Sequence, residues 1–322
     1  VLLPEFRDPQ AGRLDVISAA LSLAGVLSVI FGLKRMAEHG LAWPPALFIL
    51  AGLAVGILFV RRQKALPNPL IDLRLFRAPA FSASLATYTL ATFVGFGIFV
   101  FIAQYLQLVL GLSPLRAGLW TAPFAGAFIL GSLVTPAIAR RIRPAFVMAA
   151  GLVVAAVGFG VLSQIDGASG LPMLVTGFVV FSLGLAPVFT LTNDLIIGSA
   201  PPERAGAAAA LSETGSELGG ALGIAILGSI GTAVYRSEVA RAAPRGIPTD
   251  LMDAARDTLG AALAVADKLP GQFQAELVHA AREAFSSSFR LTSVIAVVIV
   301  IGMSIMVALL LKRARASSTA EP

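Results

Sequence analysis

Eight long apolar stretches, separated by short polar segments, dominate the 322-residue chain. A helix that crosses the apolar core of a bilayer, ~30 Å thick, needs about 20 mostly apolar residues. No Asp, Glu, Lys or Arg occurs between Arg77 and Arg116, or between Arg290 and Lys312. The pattern therefore predicts an all-α membrane protein with eight transmembrane helices. They are predicted at Leu14–Leu33, Trp43–Val60, Ala80–Leu110, Leu115–Ala139, Pro144–Ser163, Leu171–Ile197, Ala205–Val234 and Phe289–Leu311.

The composition supports a membrane protein and argues against several kinds of site. The chain is 57% hydrophobic and 13% charged, with a mean hydropathy of +0.86, whereas soluble domains are about 25% charged. It has no cysteine, and its two histidines, His39 and His279, fall outside the apolar stretches. A thiolate or histidine metal site and a Ser–His–Asp triad therefore have no residues to use within the membrane. We expect no enzyme activity, no metal and no other cofactor.

The lysines and arginines of the short connections predict the topology. The side of the membrane that holds residues 1–13 collects Arg7, Arg13, Arg61, Arg62, Lys64, Arg74, Arg77, Arg140, Arg141, Arg143, Arg204, Lys312, Arg313 and Arg315. The opposite short connections hold only Lys34, Arg35 and Arg116. Because basic short loops stay in the cytoplasm, both ends of this chain are predicted to be cytoplasmic. The net charge of +6 then reflects topology, and we expect no nucleic-acid partner.

The connections also predict how the chain divides. Pro67–Phe76 has the composition of a short amphipathic linker on the cytoplasmic surface. It separates an entry loop and helix pair (residues 1–66, with the linker at 67–79) from a six-helix bundle (residues 80–322). The chain begins at Val1 with a charged, proline-containing segment that is typical of a loop between spans. We therefore expect it to be the C-terminal fragment of a longer protein.

One long connection, residues 236–288, is predicted to lie on the outer side. Its pattern predicts a helical hairpin. Thr249 would cap the first helix, which carries Leu251, Leu259 and Leu263, and the second carries Phe273, Leu277 and Phe285. The hairpin is interpreted either as a spacer on the outer face or as a substrate gate.

The candidate chemistry centres on Glu213 and Glu217, inside the predicted span Ala205–Val234. At 1.5 Å per residue they lie about 12 Å and 18 Å from Ala205, and residues four apart share one helix face. A carboxylate at membrane depth costs roughly 2.5–3.5 kcal/mol on insertion scales and is usually retained for ion or proton handling or for ligand pairing. The pair is predicted to exchange a proton or bind a cation. Alternatively, it bonds to polar groups of neighbouring helices or faces an inert water-filled crevice.

Two further acids and a set of glycines are secondary candidates. Asp194, next to Asn193, is expected to pair with Arg204 at the membrane surface rather than carry a proton. Asp15 is expected to cap the first helix. Gly215, Gly219 and Gly223 repeat the small-xxx-small spacing that lets membrane helices approach closely, although a hinge role remains open.

The third predicted span is rich in aromatic residues, and two glutamines follow. If these side chains face a cavity they can hold a lipophilic cation, and if they face lipid they have no such role. The substrate-lining candidates are Tyr88, Phe96, Gln104 and Tyr105.

Several runs together resemble a known family. Pro201-Pro-Glu-Arg-Ala-Gly206, followed by Glu213-Thr-Gly-Ser-Glu-Leu-Gly-Gly-Ala-Leu-Gly223, resembles a cytoplasmic loop and the penultimate helix of major facilitator superfamily drug exporters. Tyr105–Gly111 with Ser113–Gly118 resembles an outer turn of that family, and Arg7-Asp-Pro with Leu14-Asp15 resembles the entry to its seventh span. The resemblance is greatest to the fourteen-span drug:proton antiporters of the quaternary-ammonium and methyl-viologen resistance type.

The resemblance covers essentially the whole chain and implies spans seven to fourteen. It implies a C-terminal six-helix bundle of the major facilitator fold preceded by an extra helix pair, in the bacterial inner membrane. It also implies proton-driven export of hydrophobic, often cationic compounds, with Glu217 and Glu213 at positions used for coupling or cation recognition. The resemblance also implies that the family's N-terminal bundle is missing from this chain. Gly131–Arg143 resembles only a degenerate copy of the family's loop motif, with basic residues but no acid.

We therefore predict a proton-coupled exporter whose partners are the bilayer, the missing N-terminal bundle and a small hydrophobic or cationic substrate. The alternatives are a major facilitator transporter of another solute, whether symporter or metabolite exporter, and a half-protein that does not transport.

Overall fold

The computed structural model describes residues 15–39, 43–66, 69–166, 170–242, 244 and 246–311, and every regular element in these ranges is helical. The predicted entry segment 1–13, Leu14 and the basic residues that follow Leu311 lie outside them. The α-helices within these ranges are α1 (Val16–His39), α2 (Trp43–Ala65), α3 (Pro79–Gln104), α4 (Pro114–Ala139), α5 (Pro144–Leu162), α6 (Gly170–Gly198), α7 (Ala205–Ala242), α8 (Thr249–Asp257), α9 (Leu259–Ala266) and α10 (Gly271–Leu310).

Eight of these helices, all except α8 and α9, are long and apolar enough to span a membrane. This confirms the predicted all-α class and the eight spans. Proline opens α3, α4 and α5, where the ring favours the helical start and the missing N–H leaves no intrahelical bond unmade.

The chain folds as two compact units, 1–74 and 75–322, whose boundary falls inside the predicted linker. The first unit is an antiparallel hairpin of α1 and α2. A β-carbon on Gly52 would lie 2.7 Å from the Gly25 carbonyl oxygen, so the two backbones touch where neither residue has a side chain. The rings of Phe31 and Phe48 meet edge to face at 4.8 Å nearer the turn.

The second unit has α3 and α6 at its centre. α7 and α10 pack against α3, α4 packs against α6, and α5 packs against both α6 and α10. We call the end where α3 begins the proximal end and the end where it finishes the distal end.

The distal end differs from the helical hairpin predicted for residues 236–288. α7 continues to Ala242, and α10 begins at Gly271, so Phe273, Leu277 and Phe285 lie on the last long helix rather than on a separate one. The predicted first helix is two helices, because Thr258 is extended and its hydroxyl accepts from the Ala261 N–H at 3.1 Å to cap α9. Thr249 caps nothing, since Pro248 occupies the position before α8. The polar residues of this segment mark the ends of the apolar stretches. The helices α7 and α10 nevertheless extend beyond those ends.

Two arginines of α10 bind backbone at the distal end. Arg282 Nε donates to the Leu108 carbonyl at 3.1 Å, within the π-helical turn Tyr105–Val109 that follows α3, and Arg290 Nη1 donates to the Ile165 carbonyl at 3.5 Å. Gly111, with φ +68°, reverses the chain into α4, whose first turn is capped by the Ser113 hydroxyl. The distal helices are thereby tied to the ends of α3 and α5.

Candidate functional site: an open cleft with acidic and aromatic walls

The candidate site lies in the second unit, where α7 packs on α3, α4 packs on α6, and α3 packs on α6. We call the space between α7 and α4 the cleft, with α3 and α6 as its floor. α7 forms one wall, and glycines let it lie directly on α3. A β-carbon on Gly223 would overlap the Phe93 carbonyl, and one on Gly219 would overlap the Thr89 carbonyl. α4 forms the other wall, packed on α6. Phe96 and Phe99 of α3 lie on the floor and are 52% and 41% exposed.

Glu213 and Glu217 lie on the open face of α7. Both side chains are exposed, and Gly215 and Gly219, which contact α3, are on the other side of the helix. Within the described part of the chain, neither carboxylate has a hydrogen-bond or ion-pair partner. The structure thus does not supply the neighbouring polar groups that a purely structural pair would bind.

The structure places Asp194 and Glu213 at the same, proximal end of the second unit. The Ser212 hydroxyl donates to the Asn193 side-chain oxygen at 3.5 Å, which joins α7 to α6 beside both acids. Asp194 is exposed. Among the described ion pairs none joins Asp194 to Arg204, so the expected pairing is not formed.

Asp15 lies elsewhere, in the α1–α2 hairpin. Its Oδ1 accepts from the Ser18 N–H at 3.1 Å and caps α1, as predicted, while its Oδ2 accepts from the Ser18 hydroxyl at 2.6 Å. Arg62 Nη2 donates to both carboxylate oxygens, at 3.1 and 3.2 Å. The hydrogen bonds from Ser18 and Arg62 lower the Asp15 pKa to about 2, so this group stays ionised at physiological pH.

The hydrogen bonds around Asp15 extend to the linker. The Ser18 hydroxyl accepts from Arg62 Nε at 3.2 Å and from Gln63 Nε2 at 2.6 Å, and Gln63 Oε1 accepts from the Ile71 N–H at 3.1 Å. A hydroxyl offers one donor and two acceptor sites, and all three are used.

An aromatic ladder links α3, α4 and α6. We use this name for the rings of Tyr88, Phe99, Phe124, Phe128, Phe178 and Phe189, which come from α3, α4 and α6. Ring centroids are 5.4 Å apart for Tyr88 and Phe189, 5.7 Å for Phe189 and Phe128, and 6.3 Å for Phe128 and Phe124. Phe124 then stacks on Phe178 at 4.2 Å and approaches Phe99 at 6.5 Å.

Five of the six ladder residues, all except Tyr88, were not among the lining residues predicted from the sequence. Phe124 and Phe128 are four residues apart, and Phe178 and Phe189 are eleven apart, as are Tyr88 and Phe99. Eleven residues make three helical turns, so each pair lies on one face. The spacing could have shown from the sequence that each pair lies on one helix face. It could not have shown that the rings of α3, α4 and α6 contact one another.

Of the other predicted lining residues, two are exposed and one is buried. Phe96 lies beside Gly220 of α7, and Gln104 is exposed. Tyr105 is instead buried among core side chains, with its hydroxyl donating to the Asp166 carbonyl at 3.2 Å. Its ring is therefore closed to a ligand in this structure. In the described residues no group of three or more His, Cys, Asp or Glu side chains is placed to hold a metal ion.

Comparison with known proteins gives a family and a fold. The family model described as the Major Facilitator Superfamily matches residues 13–224. The chain is 38% identical over 312 residues to the multidrug efflux pump LfrA of Mycolicibacterium smegmatis, covering 97% of this chain and 62% of LfrA. It is 30% identical to the methyl viologen resistance protein SmvA of Salmonella typhimurium, covering 86% of this chain and 56% of SmvA. The chain thus spans roughly three fifths of the length of these relatives.

A solved structure has the same fold. It is that of a bacterial homologue of the human lysosomal transporter Spinster, in an inward-facing and occupied conformation. The TM-score is 0.55 at 18% identity, with 94% of this chain and 68% of that chain covered.

Proposed function

Because this chain belongs to the Major Facilitator Superfamily, we propose that it is the C-terminal part of a fourteen-span drug:proton antiporter. In this proposal it exports hydrophobic or cationic compounds across a bacterial inner membrane, with both ends of the chain cytoplasmic. The relatives named as a multidrug efflux pump and a methyl viologen resistance protein support the class of substrate. The distribution of lysine and arginine supports the orientation, which makes the distal end the outer end.

The observation that carries the proposal is the exposed position of Glu213 and Glu217 on α7, where neither acid has a partner among the described residues. An acid retained on a membrane-spanning helix that does not bond within its own bundle has to be neutralised by a proton, a cation or a partner. Glu217 is further from the helix start than Glu213 and is the better candidate for the coupling site. Asp194, at the proximal end of the second unit, is a secondary candidate.

An N-terminal bundle would cover the cleft. In secondary transporters two helix bundles rock about a site near the middle of the membrane. The cleft has a floor and two walls within this chain, and the proposed partner bundle would close it. Proton binding by Glu217, together with Glu213, would alternate with binding of the substrate cation. Because the proton and the substrate cation would not be bound at the same time, proton entry would be coupled to substrate export. No cofactor beyond the proton gradient is required.

The test is proton-driven dye export by the full-length gene product, with Glu217→Gln compared with the parent. We expect export to fall to background, because an amide cannot release a proton or neutralise a cation. Glu276→Gln is the matched control, since Glu276 is an exposed acid of α10 outside the apolar stretch. Export by Glu217→Gln at the parent's rate and with the parent's pH dependence would refute the assignment.

A further inference from the structure

We propose that the turn between α4 and α5, together with the furrow between these two helices, binds one anionic phospholipid. Arg140, Arg141 and Arg143 hold its phosphate group, and its acyl chains lie in the furrow. The site is built without α7, and it does not depend on Glu213 and Glu217, on proton coupling or on the proposed orientation of the chain.

The turn carries a concentrated positive charge. It consists of residues 140–143, three of which are arginines, and all three arginine side chains are exposed. Among the ion pairs and hydrogen bonds of the described residues, none involves their guanidinium groups. By contrast, the distal arginines Arg236 and Arg290 bind acids at 2.7 and 2.9 Å. The first turn of α5 contains no acid, so it does not neutralise the arginines that precede it.

Asp194 is an acid of α6 that lies about level with this turn. α4 and α6 run parallel, because the Ser182 hydroxyl donates to the Phe124 carbonyl at 3.0 Å and Gly131 faces Ala186 further along both helices. The turn begins nine residues after Gly131, and Asp194 is eight residues after Ala186. No described ion pair joins Asp194 to the turn, and one carboxylate balances only one of three positive charges. The turn therefore favours an anion, and guanidinium groups bind phosphate oxygens through paired N–H donors.

α4 and α5 flank α6 and leave a furrow between them. The two helices are joined by the turn but scarcely touch each other, since each packs along α6. A β-carbon on Gly131 of α4 would lie 3.5 Å from the Leu183 carbonyl oxygen, whereas Gly151 of α5 meets the backbone of Gly184. Leu183 thus lies between the two contacts, and its side chain is 40% exposed. It forms the floor of the furrow.

The two sides of the furrow are apolar. On α4, the ladder rings of Phe124 and Phe128 lie on one side of Gly131, so the other side faces the furrow. On α5, one side packs on α10, where the Ala149 carbonyl accepts from the Ser304 hydroxyl at 3.0 Å, and the other side faces the furrow. Counted at 3.6 residues per turn, these furrow sides carry exposed residues with 40–62% of their surface open, namely Leu130, Val134, Ile138, Phe146, Val154 and Val157.

Charge and apolar surface adjoin at the turn itself. Ile142, between Arg141 and Arg143 in sequence, is 49% exposed. A free phosphate ion would contact only the arginines and leave the furrow uncovered. A phospholipid with a net negative charge would bind the arginines through its phosphate and cover the furrow with its acyl chains. Each basic residue near an anionic lipid surface contributes about fivefold to binding.

The experiment measures lipid binding to the full-length protein in neutral detergent. The probe is phosphatidylglycerol with a fluorescent acyl chain, followed by anisotropy. The competitors are unlabelled phosphatidylglycerol, phosphatidylcholine with the same chains, and inorganic phosphate at constant ionic strength. The test variant combines Arg140→Gln, Arg141→Gln and Arg143→Gln, and Arg141→Gln alone is used in case the triple variant folds poorly.

The matched control removes three positive charges elsewhere. It combines Arg61→Gln, Lys64→Gln and Arg74→Gln, which are exposed basic residues outside the α4–α5 turn. We expect the test variant to bind the probe about 10- to 100-fold more weakly than the parent, and Arg141→Gln alone about 3- to 5-fold more weakly. The control should bind as the parent does. Unlabelled phosphatidylglycerol should displace the probe, whereas phosphatidylcholine and inorganic phosphate should not.

Three results would overturn the inference. Equal weakening in the test variant and the control would show that only the overall charge matters. Unchanged binding in both the triple variant and Arg141→Gln would show that the turn holds no lipid, as when an acid of the N-terminal bundle already neutralises it. Displacement of the probe by phosphatidylcholine or by inorganic phosphate would show that the site does not select an anionic lipid.

Discussion

The chain holds two kinds of carboxylate at its membrane helices, and they differ in whether their oxygens are satisfied. Asp15, in the α1–α2 hairpin, accepts hydrogen bonds from Ser18 and Arg62 on both oxygens and is only 18% exposed. Glu213 and Glu217 are exposed on α7 and have no such partners among the described residues. Both kinds look alike in the sequence, as acids at or inside an apolar stretch.

Hydrogen bonds therefore distinguish two roles that an acid can have in a membrane helix. A carboxylate that is fully bonded and held with a low pKa contributes to the structure and has no proton to exchange at neutral pH. A carboxylate that its own bundle leaves open is available for coupling. We therefore assign Asp15 to the stability of the hairpin and keep Glu217 as the coupling candidate.

The largest expected effect on stability is that of Asp15→Asn. Asparagine is about as good an N-cap as aspartate, so the cap on α1 survives while the charge opposite Arg62 is lost. We expect the melting temperature of the purified full-length protein to drop, because Arg62 loses its counter-ion. Proton-driven export per folded molecule should be retained.

Asp253→Asn provides the matched control for that variant. Asp253 also pairs with an arginine, Arg256 at 3.5 Å, but it is 65% exposed. Exposed pairs of this kind contribute little, so its melting temperature should equal the parent's. Equal melting temperatures for Asp15→Asn and the parent, or a loss of proton coupling in Asp15→Asn, would break the division between the two kinds of acid.

A smaller effect on the melting temperature is expected when the pH is lowered. The folded-state pKa of Asp15 lies near 2, below its ordinary value of 3.8, so its contribution is fully present above about pH 4 and is lost as the pH falls towards 2. Melting curves should therefore show the difference between the parent and Asp15→Asn as constant from pH 8 to about 5 and shrinking below pH 4. A difference that already disappears between pH 7 and 6 would contradict an ionised, bonded Asp15.

The sequence predicted the helical class, the eight spans and the cap at Asp15, because these depend on local hydropathy and on residues three apart. It did not predict that α7 and α10 extend into residues 236–288. The polar residues there indicate contact with water, but they do not indicate where a helix ends. It also misplaced Tyr105, because an aromatic residue on an apolar helix has no polar neighbour in sequence to indicate which face is buried. The aromatic ladder depends on contacts among α3, α4 and α6 that only the tertiary structure supplies.

Substrate-induced proton release shows whether Glu217 exchanges a proton for the substrate cation. The full-length protein is purified in weakly buffered detergent solution. The pH is then followed on addition of the cationic dye whose export is measured. We expect proton release by the parent and by Asp15→Asn, and none by Glu217→Gln. Release by Glu217→Gln equal to the parent's would contradict that exchange.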